Sequence, residues 1–212
     1  LVVDSSMTRL NCVLAKGINR NTRISEILVR SRVKRYAYST DISKMYNQLH
    51  LEESEYPYSL FLFHESMGKD ITPEVYVLTR AWYGVTSTGA QAGTAIDRLV
   101  KDKKHLFPLA ADPLTEDRWV DDILGGADTK EEREEQIRQC TEILKLAGFN
   151  LKYVVRSGED PDDKSSSDGS TTKILGYTWA TKDDILTPGF DKLNFNKKIR
   201  GAKKPNVKPI TT

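Results

Sequence analysis

The segment from Arg118 to Gly126, which reads RWVDDILGG, constrains the fold of this chain most strongly. Two adjacent carboxylates, Asp121 and Asp122, lie inside an apolar run whose β-forming residues predict a pair of short strands against a core. Burial of two neighbouring charges is costly unless a counter-charge compensates for them. A divalent cation is one such counter-charge, because hard cations bind carboxylate oxygens. The alternative is a plain surface hairpin turn, since aspartate tolerates turn geometry.

The overall composition is that of a globular chain with one domain, or one and a half. The sequence has 212 residues, of which 38% are hydrophobic and 29% are charged. It contains no apolar run near the roughly 18 residues that span a membrane, and no N-terminal signal pattern. Because the chain begins at Leu1 without an initiator methionine, we interpret it as a fragment of something longer, such as a polyprotein.

The net charge of +2 is too small to indicate a nucleic-acid partner by itself, but the basic residues are unevenly distributed. They concentrate at residues 20–35 and in the C-terminal tail at residues 192–208. Each cluster fits either a phosphate-facing surface or an ordinary solvated face.

The cysteines and histidines show no metal-binding spacing. Cys12 and Cys140 are far apart in the sequence, which predicts free, buried thiols in a reducing compartment. The histidines, His50, His64 and His105, form no paired pattern, and we therefore expect no zinc site.

Hydrophobic periodicity predicts a mixture of strands and helices. Strands are expected at residues 1–3, 36–42, 58–64, 74–79, 149–155, 173–179 and 184–186, and helices at residues 23–34, 44–51, 88–103 and 130–147. Ser43 is the expected N-cap of the second helix, and Thr129 forms a capping box with Glu132 for the last one. Gly148 is the expected C-terminal stop of that helix. The continuous apolar run within residues 58–64 predicts a strand covered on both faces.

This order of elements predicts an α+β sheet with helices packed on one face. In such a layout Asp41, at the end of one strand, would lie beside Asp121 and Asp122 on a neighbouring hairpin. Three carboxylates from two strands would then converge, which predicts a site for two divalent ions.

Five motifs, in order, resemble those of reverse transcriptases. STDISKMYNQLHL, with Asp41 at the end of its strand, is similar to the first catalytic motif, and WVDD at residues 119–122 is similar to the second. YGVTSTG at residues 83–89 looks like the glycine motif that precedes the palm helix. GFNLK at residues 148–152 and ILGYTW at residues 174–179 resemble the next motif, with its lysine, and the primer-grip hairpin.

The motifs have the character of the Bel/Pao class of long-terminal-repeat retrotransposons, whose leading segment is similar to VVDSS at residues 2–6. The resemblance covers nearly the whole chain, from late fingers through palm. The chain departs from the family where the glycine motif, usually ending Ser-Pro, has Thr88 and Gly89. The glutamine position of that motif is Tyr83, an aromatic residue as in Bel/Pao-like sequences. The fingers residues that grip the triphosphate, the thumb, the connection and RNase H are not recognised.

The resemblance implies an α+β fold, a right-hand polymerase palm with partial fingers, in which helices back an antiparallel sheet. Residues 1–35 and 52–82 would form the partial fingers. Residues 36–51 and 83–187 would form the palm with its catalytic and primer-grip hairpins. Residues 157–172 would be a flexible acidic loop, and residues 188–212 a basic tail toward a missing thumb.

The resemblance also implies the site residues. Asp41, Asp121 and Asp122 would be catalytic and, with the backbone carbonyl of Ile42, would hold two Mg²⁺ ions, with Mn²⁺ as a substitute. The nucleotide-binding residues would be Lys44, Met45, Tyr46, Tyr83, Gly84 and Lys152. The primer-grip residues would be Leu175, Gly176, Tyr177 and Trp179.

Several of these residues also have ordinary structural interpretations. Tyr46 corresponds to an aromatic steric gate that excludes a ribose 2′-hydroxyl, or else is a core aromatic on a short helix. Lys152 either supplies charge or a proton to the leaving pyrophosphate or is a surface lysine. Gly84 fits a plain turn, and Trp179 fits an ordinary core position.

The implied function is RNA-directed DNA synthesis, in which deoxynucleoside triphosphates extend a primer on an RNA or DNA template. The expected partners are the template–primer, the nucleotide and the remaining thumb, RNase H, integrase and protease of a Pol polyprotein, in a cytoplasmic retrotransposon particle without a membrane. The alternative is a catalytically inactive remnant that binds nucleic acid. A third possibility, an RNA-dependent RNA polymerase, is disfavoured by Tyr46, because such enzymes admit the 2′-hydroxyl.

Overall fold

The computed structural model describes residues 9–64, 72–161 and 171–189. The helices are α1 (Leu10–Val13), α2 (Ile24–Val33), α3 (Thr88–Lys103), α4 (Ala111–Thr115) and α5 (Lys130–Lys145). The strands are β1 (Tyr36–Asp41), β2 (Leu60–Phe63), β3 (Glu74–Val77), β4 (Arg118–Trp119), β5 (Asp122–Ala127), β6 (Val155–Arg156), β7 (Thr171–Ile174), β8 (Tyr177–Ala180) and β9 (Ile185–Pro188). Short 3₁₀ helices cover Met45–Gln48, Glu53–Tyr58 and Pro108–Ala110.

Four antiparallel strands form the central sheet, in the order β4-β5-β1-β6. The pairing of β1 with β5 runs from Tyr36 opposite Ala127 to Asp41 opposite Asp122. Two smaller antiparallel sheets contain β2 with β3, and β7 with β8 and β9. The fold therefore mixes helices with antiparallel sheets, as the predicted α+β class requires.

Alternate residues of the central sheet build two cores, one on each face. Tyr38 and Ile123 belong to a helix-side core that includes buried residues of α3 and α5. Leu124 belongs to the core on the other face, the hairpin-side core, which also contains Ile27 of α2 and Trp179 of the β7–β8 hairpin. The predicted placement of all helices on one face is therefore wrong, because the apolar side of α2 packs on the opposite face with the β7–β9 sheet.

The helices predicted at residues 23–34, 88–103 and 130–147 are confirmed to within two residues. At the start of α5, the Glu132 amide donates to Thr129 Oγ1 at 3.1 Å, as the capping box predicts. The Glu132 carboxylate accepts from the amide of Asp128 at 3.2 Å, one residue before the cap. Beyond the helix, Gly148 has a φ of +78°, the left-handed conformation that ends a helix.

The strand predicted at residues 58–64 forms as β2, but its predicted coverage on both faces is wrong. Leu60 and Leu62 of β2 are 56% and 66% exposed, and Val75 of β3 is 65% exposed. The pairing places these three side chains on one face of the hairpin. The apolar residues predicted the strand correctly, because strand formation depends on the local sequence. Burial of its two faces depends on other elements that pack against the strand, and the local sequence does not show these.

Two other predicted elements are shorter in the structure. Residues 44–51 contain only the 3₁₀ helix Met45–Gln48, whose N-cap position is Lys44 with a left-handed φ of +47°. The prediction of Ser43 as a helix N-cap is therefore wrong. The strand predicted at residues 149–155 is reduced to a single bridge between Leu151 and Ile42 and to β6.

The basic segment at residues 20–35 makes ion pairs within the chain. Four of the pairs reach acidic residues outside the segment and are Arg20–Asp97, Arg30–Asp117, Arg32–Asp184 and Lys34–Asp128, at 2.9, 2.7, 2.7 and 2.7 Å. Each such partly exposed pair contributes only about 0–1 kcal/mol. Because these pairs neutralise much of the charge of the segment, a solvated face fits it better than a phosphate-facing surface.

Three predicted segments lie outside the described residues. They are the strand at residues 1–3, most of the acidic loop at residues 157–172 and the basic tail from residue 190 onward. Both thiols are free, as predicted, and Cys140 is buried, but Cys12 is exposed, so its predicted burial is wrong. Within the described ranges, no helix has both the length and the apolarity needed to cross a membrane.

Candidate active site

The β4–β5 hairpin turns at the Asp-Asp pair. Trp119 pairs with Asp122, so that Val120 and Asp121 form a two-residue turn between the strands. Val120 has a φ of +56°, a left-handed conformation that β-branched residues rarely adopt. The residue before the first carboxylate is therefore held in a strained backbone conformation.

The same hairpin lies beside the end of β1. Asp122 pairs directly with Asp41, and the amide of Ile42 donates to the carbonyl oxygen of Asp121 at 2.8 Å. Directly paired residues of antiparallel strands have Cβ atoms about 4.5–5.5 Å apart, with side chains on one face. Since side chains alternate along a strand, Asp122 shares its face with Leu124, which belongs to the hairpin-side core. The Asp-Asp pair is therefore part of a hairpin turn, and this turn lies beside a third carboxylate, that of Asp41.

The carboxylates are half-buried and perturb one another. Burial and then the charge of Asp41 raise the pKa of Asp121, while a hydrogen bond to its own backbone and the Lys152 ammonium act in the opposite direction. Burial, followed by the charges of Asp121 and Asp41, raises the pKa of Asp122 to about 6. Like charges gathered in a partly desolvated place are typical of functional sites.

Lys152 supplies a counter-charge to this cluster. Its Nζ lies 2.8 Å from the Asp41 carboxylate and donates a hydrogen bond to Oδ2, and its amide donates to the Asp41 carbonyl oxygen at 2.8 Å. The hydrogen bond to Asp41 raises the pKa of Lys152, which keeps the ammonium charged. The lysine side chain is 41% exposed, so the contact is open to solvent. Lys152 is therefore more than a surface strand lysine, because it contacts the carboxylate at the centre of the site.

The donor set suits a hard divalent cation. Asp41, Asp121 and Asp122 present carboxylate oxygens at adjoining strand ends, and oxygen ligands of this kind are those that Mg²⁺ prefers. Asp41 Oδ1 is buried and accepts no hydrogen bond of normal geometry, although the Lys152 ammonium lies near it. In the part of the chain that the structure describes, no three His, Cys, Asp or Glu side chains are already gathered as a metal ligand set. A cation bound by these carboxylates would compete with the Lys152 ammonium for Asp41.

Replacing Asp122 by asparagine is expected to stabilise the chain in EDTA at pH 8, by about 1–3 kcal/mol of unfolding free energy. The folded chain raises this pKa to about 6, so the ionised carboxylate destabilises folding above that pH and the neutral amide does not. Below the unfolded pKa of about 3.9 the carboxyl is protonated in both states and does not destabilise folding. The stabilisation by Asp122→Asn is therefore expected to vanish near pH 4. Urea denaturation at both pH values measures it.

The control for this prediction is Asp183→Asn, which changes an exposed aspartate between β8 and β9. It is expected to leave stability within about 0.5 kcal/mol of the unchanged chain at both pH values. If Asp122→Asn were no more stable than the unchanged chain at pH 8, the ionised Asp122 carboxylate would not destabilise the fold.

Two tyrosines predicted to line a nucleotide pocket contact each other beside the carboxylates. The ring centroids of Tyr46 and Tyr83 are 5.1 Å apart, with an interplanar angle of 58°. Burial, followed by the charge of Asp121, raises the pKa of Tyr46. A Cβ placed on Gly89 would lie 3.7 Å from the Tyr46 hydroxyl, and Tyr83 is 51% exposed. The structure therefore brings the glycine motif and both aspartate motifs together.

The other predicted pocket residues have different surroundings. Gly84 has a φ of +84°, and its carbonyl oxygen accepts from Asn11 Nδ2 at 2.7 Å, so it is a conformationally required turn glycine. Lys44 is exposed. Met45 is only 3% exposed and packs in the helix-side core. The predicted nucleotide contact of Met45 is its backbone amide, and the burial of its side chain leaves that prediction untouched.

The predicted primer-grip residues lie on the β7–β8 hairpin. Leu175 and Gly176 form its turn with φ values of +47° and +87°, as a type I′ turn requires. Tyr177 begins β8 and is half-buried. Trp179 is 1% exposed in the hairpin-side core, and its Nε1 donates to Asp184 Oδ1 at 2.9 Å. Trp179 is therefore a core residue, whereas Leu175 and Gly176 occupy the hairpin tip.

Two residues that contact the carboxylate turn were missed by the sequence analysis. Arg118 Nη1 donates to the Val120 carbonyl oxygen at 2.9 Å, and the Val120 amide donates to Asn21 Oδ1 at 3.3 Å. Arg118 is the only basic residue in the segment 118–126, and a cation in an apolar run signals a buried partner. Asn21 lies 99 positions from Val120, so no local pattern identifies it.

Comparison of the chain with protein-family models and with curated proteins found no match. Function is therefore inferred from the site geometry and from the ordered motifs of the sequence.

Proposed function

We propose that this chain is the fingers-palm part of a Bel/Pao-type retrotransposon reverse transcriptase, an RNA-directed DNA polymerase. The observation that carries the proposal is the direct pairing of Asp41 with Asp122, with Asp121 in the adjoining turn. These carboxylates come from two motifs that are far apart in sequence and that both resemble catalytic motifs of reverse transcriptases. Their meeting at one end of a sheet is what two-metal nucleotidyl transfer needs.

The architecture around the carboxylates supports a polymerase palm. The central antiparallel sheet has α3 and α5 on one face and the β7–β9 sheet on the other. The Asp41 and Asp122 side chains are on the face of the β7–β9 sheet, which carries the predicted primer-grip turn at Leu175 and Gly176.

The reaction needs positioning and charge stabilisation more than a nucleophilic side chain. Bound Mg²⁺, or Mn²⁺, would lower the pKa of the primer 3′-hydroxyl and neutralise charge on the triphosphate and leaving pyrophosphate. In this proposal Asp41, Asp121 and Asp122 hold the two ions, together with the carbonyl of Ile42. Lys152, whose ammonium lies 2.8 Å from Asp41, would supply positive charge beside this centre.

The contacting rings of Tyr46 and Tyr83 support a nucleotide pocket next to this centre. Tyr46 is half-buried and within electrostatic reach of Asp121. A rigid ring at this place would fill the volume of a ribose 2′-hydroxyl, so the pocket would select deoxynucleotides.

Replacing Tyr46 by alanine is expected to reduce the preference for dNTP over rNTP by about 10- to 100-fold, because the space for a 2′-hydroxyl opens. Single-nucleotide incorporation of dTTP and of UTP, each as kcat/KM, measures the ratio. Tyr58→Ala removes a tyrosine that is 69% exposed and serves as the matched control. An unchanged sugar preference in the Tyr46 variant would show that this ring is not a steric gate.

Primer extension tests the proposed function directly. The chain, alone and joined to the adjoining polyprotein segments that the proposal implies, is given a poly-rA template, an oligo-dT primer, dTTP and Mg²⁺. Extension that EDTA abolishes and Mg²⁺ restores is the expected result. If neither form of the protein extends the primer while both bind it, the chain is a non-catalytic binding remnant and the polymerase proposal fails. Preferred use of UTP would instead indicate an RNA polymerase.

A further inference from the structure

We infer that Asn21 and Arg118 are positioning residues that hold the Val120–Asp121 turn in the shape that catalysis requires. The inference rests on the proposed function, because it concerns the same carboxylates. It assigns a role to two residues outside the motifs that resemble reverse transcriptases, and neither residue touches the reacting atoms.

Both backbone polar groups of Val120 are bound by side chains. The Val120 amide donates to Asn21 Oδ1 at 3.3 Å, and its carbonyl oxygen accepts from Arg118 Nη1 at 2.9 Å. Turn residues of a two-residue hairpin ordinarily leave such groups to solvent. Two protein partners on one turn residue therefore fix the orientation of both its peptide planes, including the plane that leads into Asp121.

The backbone of Val120 explains why such support is needed. Its φ of +56° lies in the left-handed region, which glycine adopts freely and β-branched residues avoid. A valine released from its partners would relax toward an extended or right-handed conformation. Asp121 follows directly in the chain, so this relaxation would turn its carboxylate away from Asp41 and Asp122.

Arg118 is itself held firmly by the helix-side elements. It is 2% exposed, its Nε donates to the Leu114 carbonyl oxygen at 2.8 Å, and its Nη2 lies 3.4 Å from Asp97 Oδ1. The other carboxylate oxygen of Asp97 accepts from Arg20 Nη1 at 2.9 Å. This network links α3 and α4 to the carbonyl of Val120. The Arg118 guanidinium contacts the carbonyl oxygens of Leu114 and Val120 and the carboxylate of Asp97. It therefore positions the turn without neutralising the catalytic carboxylates.

The test uses Asn21, because removing the buried Arg118 side chain would leave polar groups unpaired and unfold the chain. Asn21→Ala removes one anchor of the turn. Gln91→Ala, which removes an exposed side-chain amide outside the motifs named above, is the matched control. Val120→Gly is made alone and together with Asn21→Ala, because glycine adopts the left-handed conformation without support.

The first readout is Mn²⁺ affinity by electron paramagnetic resonance, which requires no catalysis. Asn21→Ala is expected to weaken Mn²⁺ binding by about 10-fold and to lower kcat for single-nucleotide addition by about 10-fold, the size typical for lost outer support of metal ligands. The KM for dNTP is expected to stay within about twofold, because the nucleotide pocket is unchanged. Thermal stability is expected to fall by no more than about 2–4 °C, the effect of one lost hydrogen bond.

Rescue separates positioning from a general structural role. In the Val120→Gly background, Asn21→Ala is expected to change Mn²⁺ affinity and kcat far less than in the valine background. Equal Mn²⁺ affinity in Asn21→Ala and Gln91→Ala, or no rescue by Val120→Gly, would overturn the inference. If the unchanged chain bound Mn²⁺ through these residues but showed no polymerase activity, the proposed function would fail while the metal readout would still decide the role of Asn21.

Discussion

Replacing Asp121 by asparagine is expected to lower the rate of nucleotide addition by at least about 10³-fold, equivalent to roughly 4 kcal/mol of transition-state stabilisation. Asparagine keeps the size of the side chain but loses the charge that would hold the ions. Single-turnover incorporation at saturating dNTP measures the chemical step. Primer–template affinity, measured by fluorescence anisotropy, is expected to stay equal or to rise, because a negative charge near the phosphates is removed.

Asp128→Asn is the matched control for this prediction. Asp128 directly follows β5, at the end remote from the carboxylate turn, and pairs with Lys34 at 2.7 Å. Its replacement is expected to leave the incorporation rate within about twofold, since most surface substitutions have small effects. If Asp121→Asn incorporated nucleotides as fast as Asp128→Asn, Asp121 would have no role in the proposed mechanism.

Replacing Gly125 by alanine is expected to have the largest effect on stability, a loss of about 2–4 kcal/mol of unfolding free energy. A Cβ on Gly125 would lie 2.5 Å from the Tyr38 ring and hydroxyl, which are opposite it in the β1–β5 pairing. Tyr38 is fully buried, so the ring has no free space to move into. Differential scanning calorimetry is expected to show a fall in Tm of about 4–16 °C for a chain of this size.

Two further variants check that the clash with Tyr38 causes this loss. Gly89→Ala adds a methyl group at the start of α3, where the nearest atom would be 3.7 Å away, and is expected to leave Tm nearly unchanged or slightly raised. Tyr38→Leu shortens the opposing side chain, so Gly125→Ala is expected to cost less in the Tyr38→Leu background than in the unchanged chain. If Gly125→Ala lowered the unfolding free energy equally in both backgrounds, the strand backbone and not the contact with Tyr38 would cause the loss.

Sequence reasoning succeeded where the signal lies within a few residues. The capping box of Thr129 and Glu132, the helical spacing before Gly148 and the β-forming residues around the Asp-Asp pair each depend on local chemistry. The placement of Asp41 beside the Asp-Asp hairpin was also predicted, because strand order and the position of a strand end limit the possible neighbours, whereas the direct pairing of Asp41 with Asp122 was not. These features define the central sheet and the carboxylate cluster.

Sequence reasoning failed where the outcome depends on distant partners. Leu62 and its neighbours are apolar, yet nothing in their pattern shows whether another element covers them. Trp179 fits both a primer contact and a core, and only the packing against Ile27 and Leu124 decides between them. The link from Asn21 to Val120 joins residues on separate elements. Lys44, with its left-handed φ of +47°, takes the N-cap position that the Ser N-cap rule assigns to Ser43.

The central proposal is tested most directly by single-nucleotide incorporation on four RNA templates that differ only in the base after the primer. Each dNTP is offered separately, with Mg²⁺, to the unchanged protein and to Asp41→Asn, again alone and joined to the adjoining polyprotein segments. The proposed function predicts that each template directs incorporation of its complementary dNTP and that Asp41→Asn loses this activity. Incorporation that ignores the template base, or that persists in Asp41→Asn, would contradict a template-directed polymerase centred on these carboxylates.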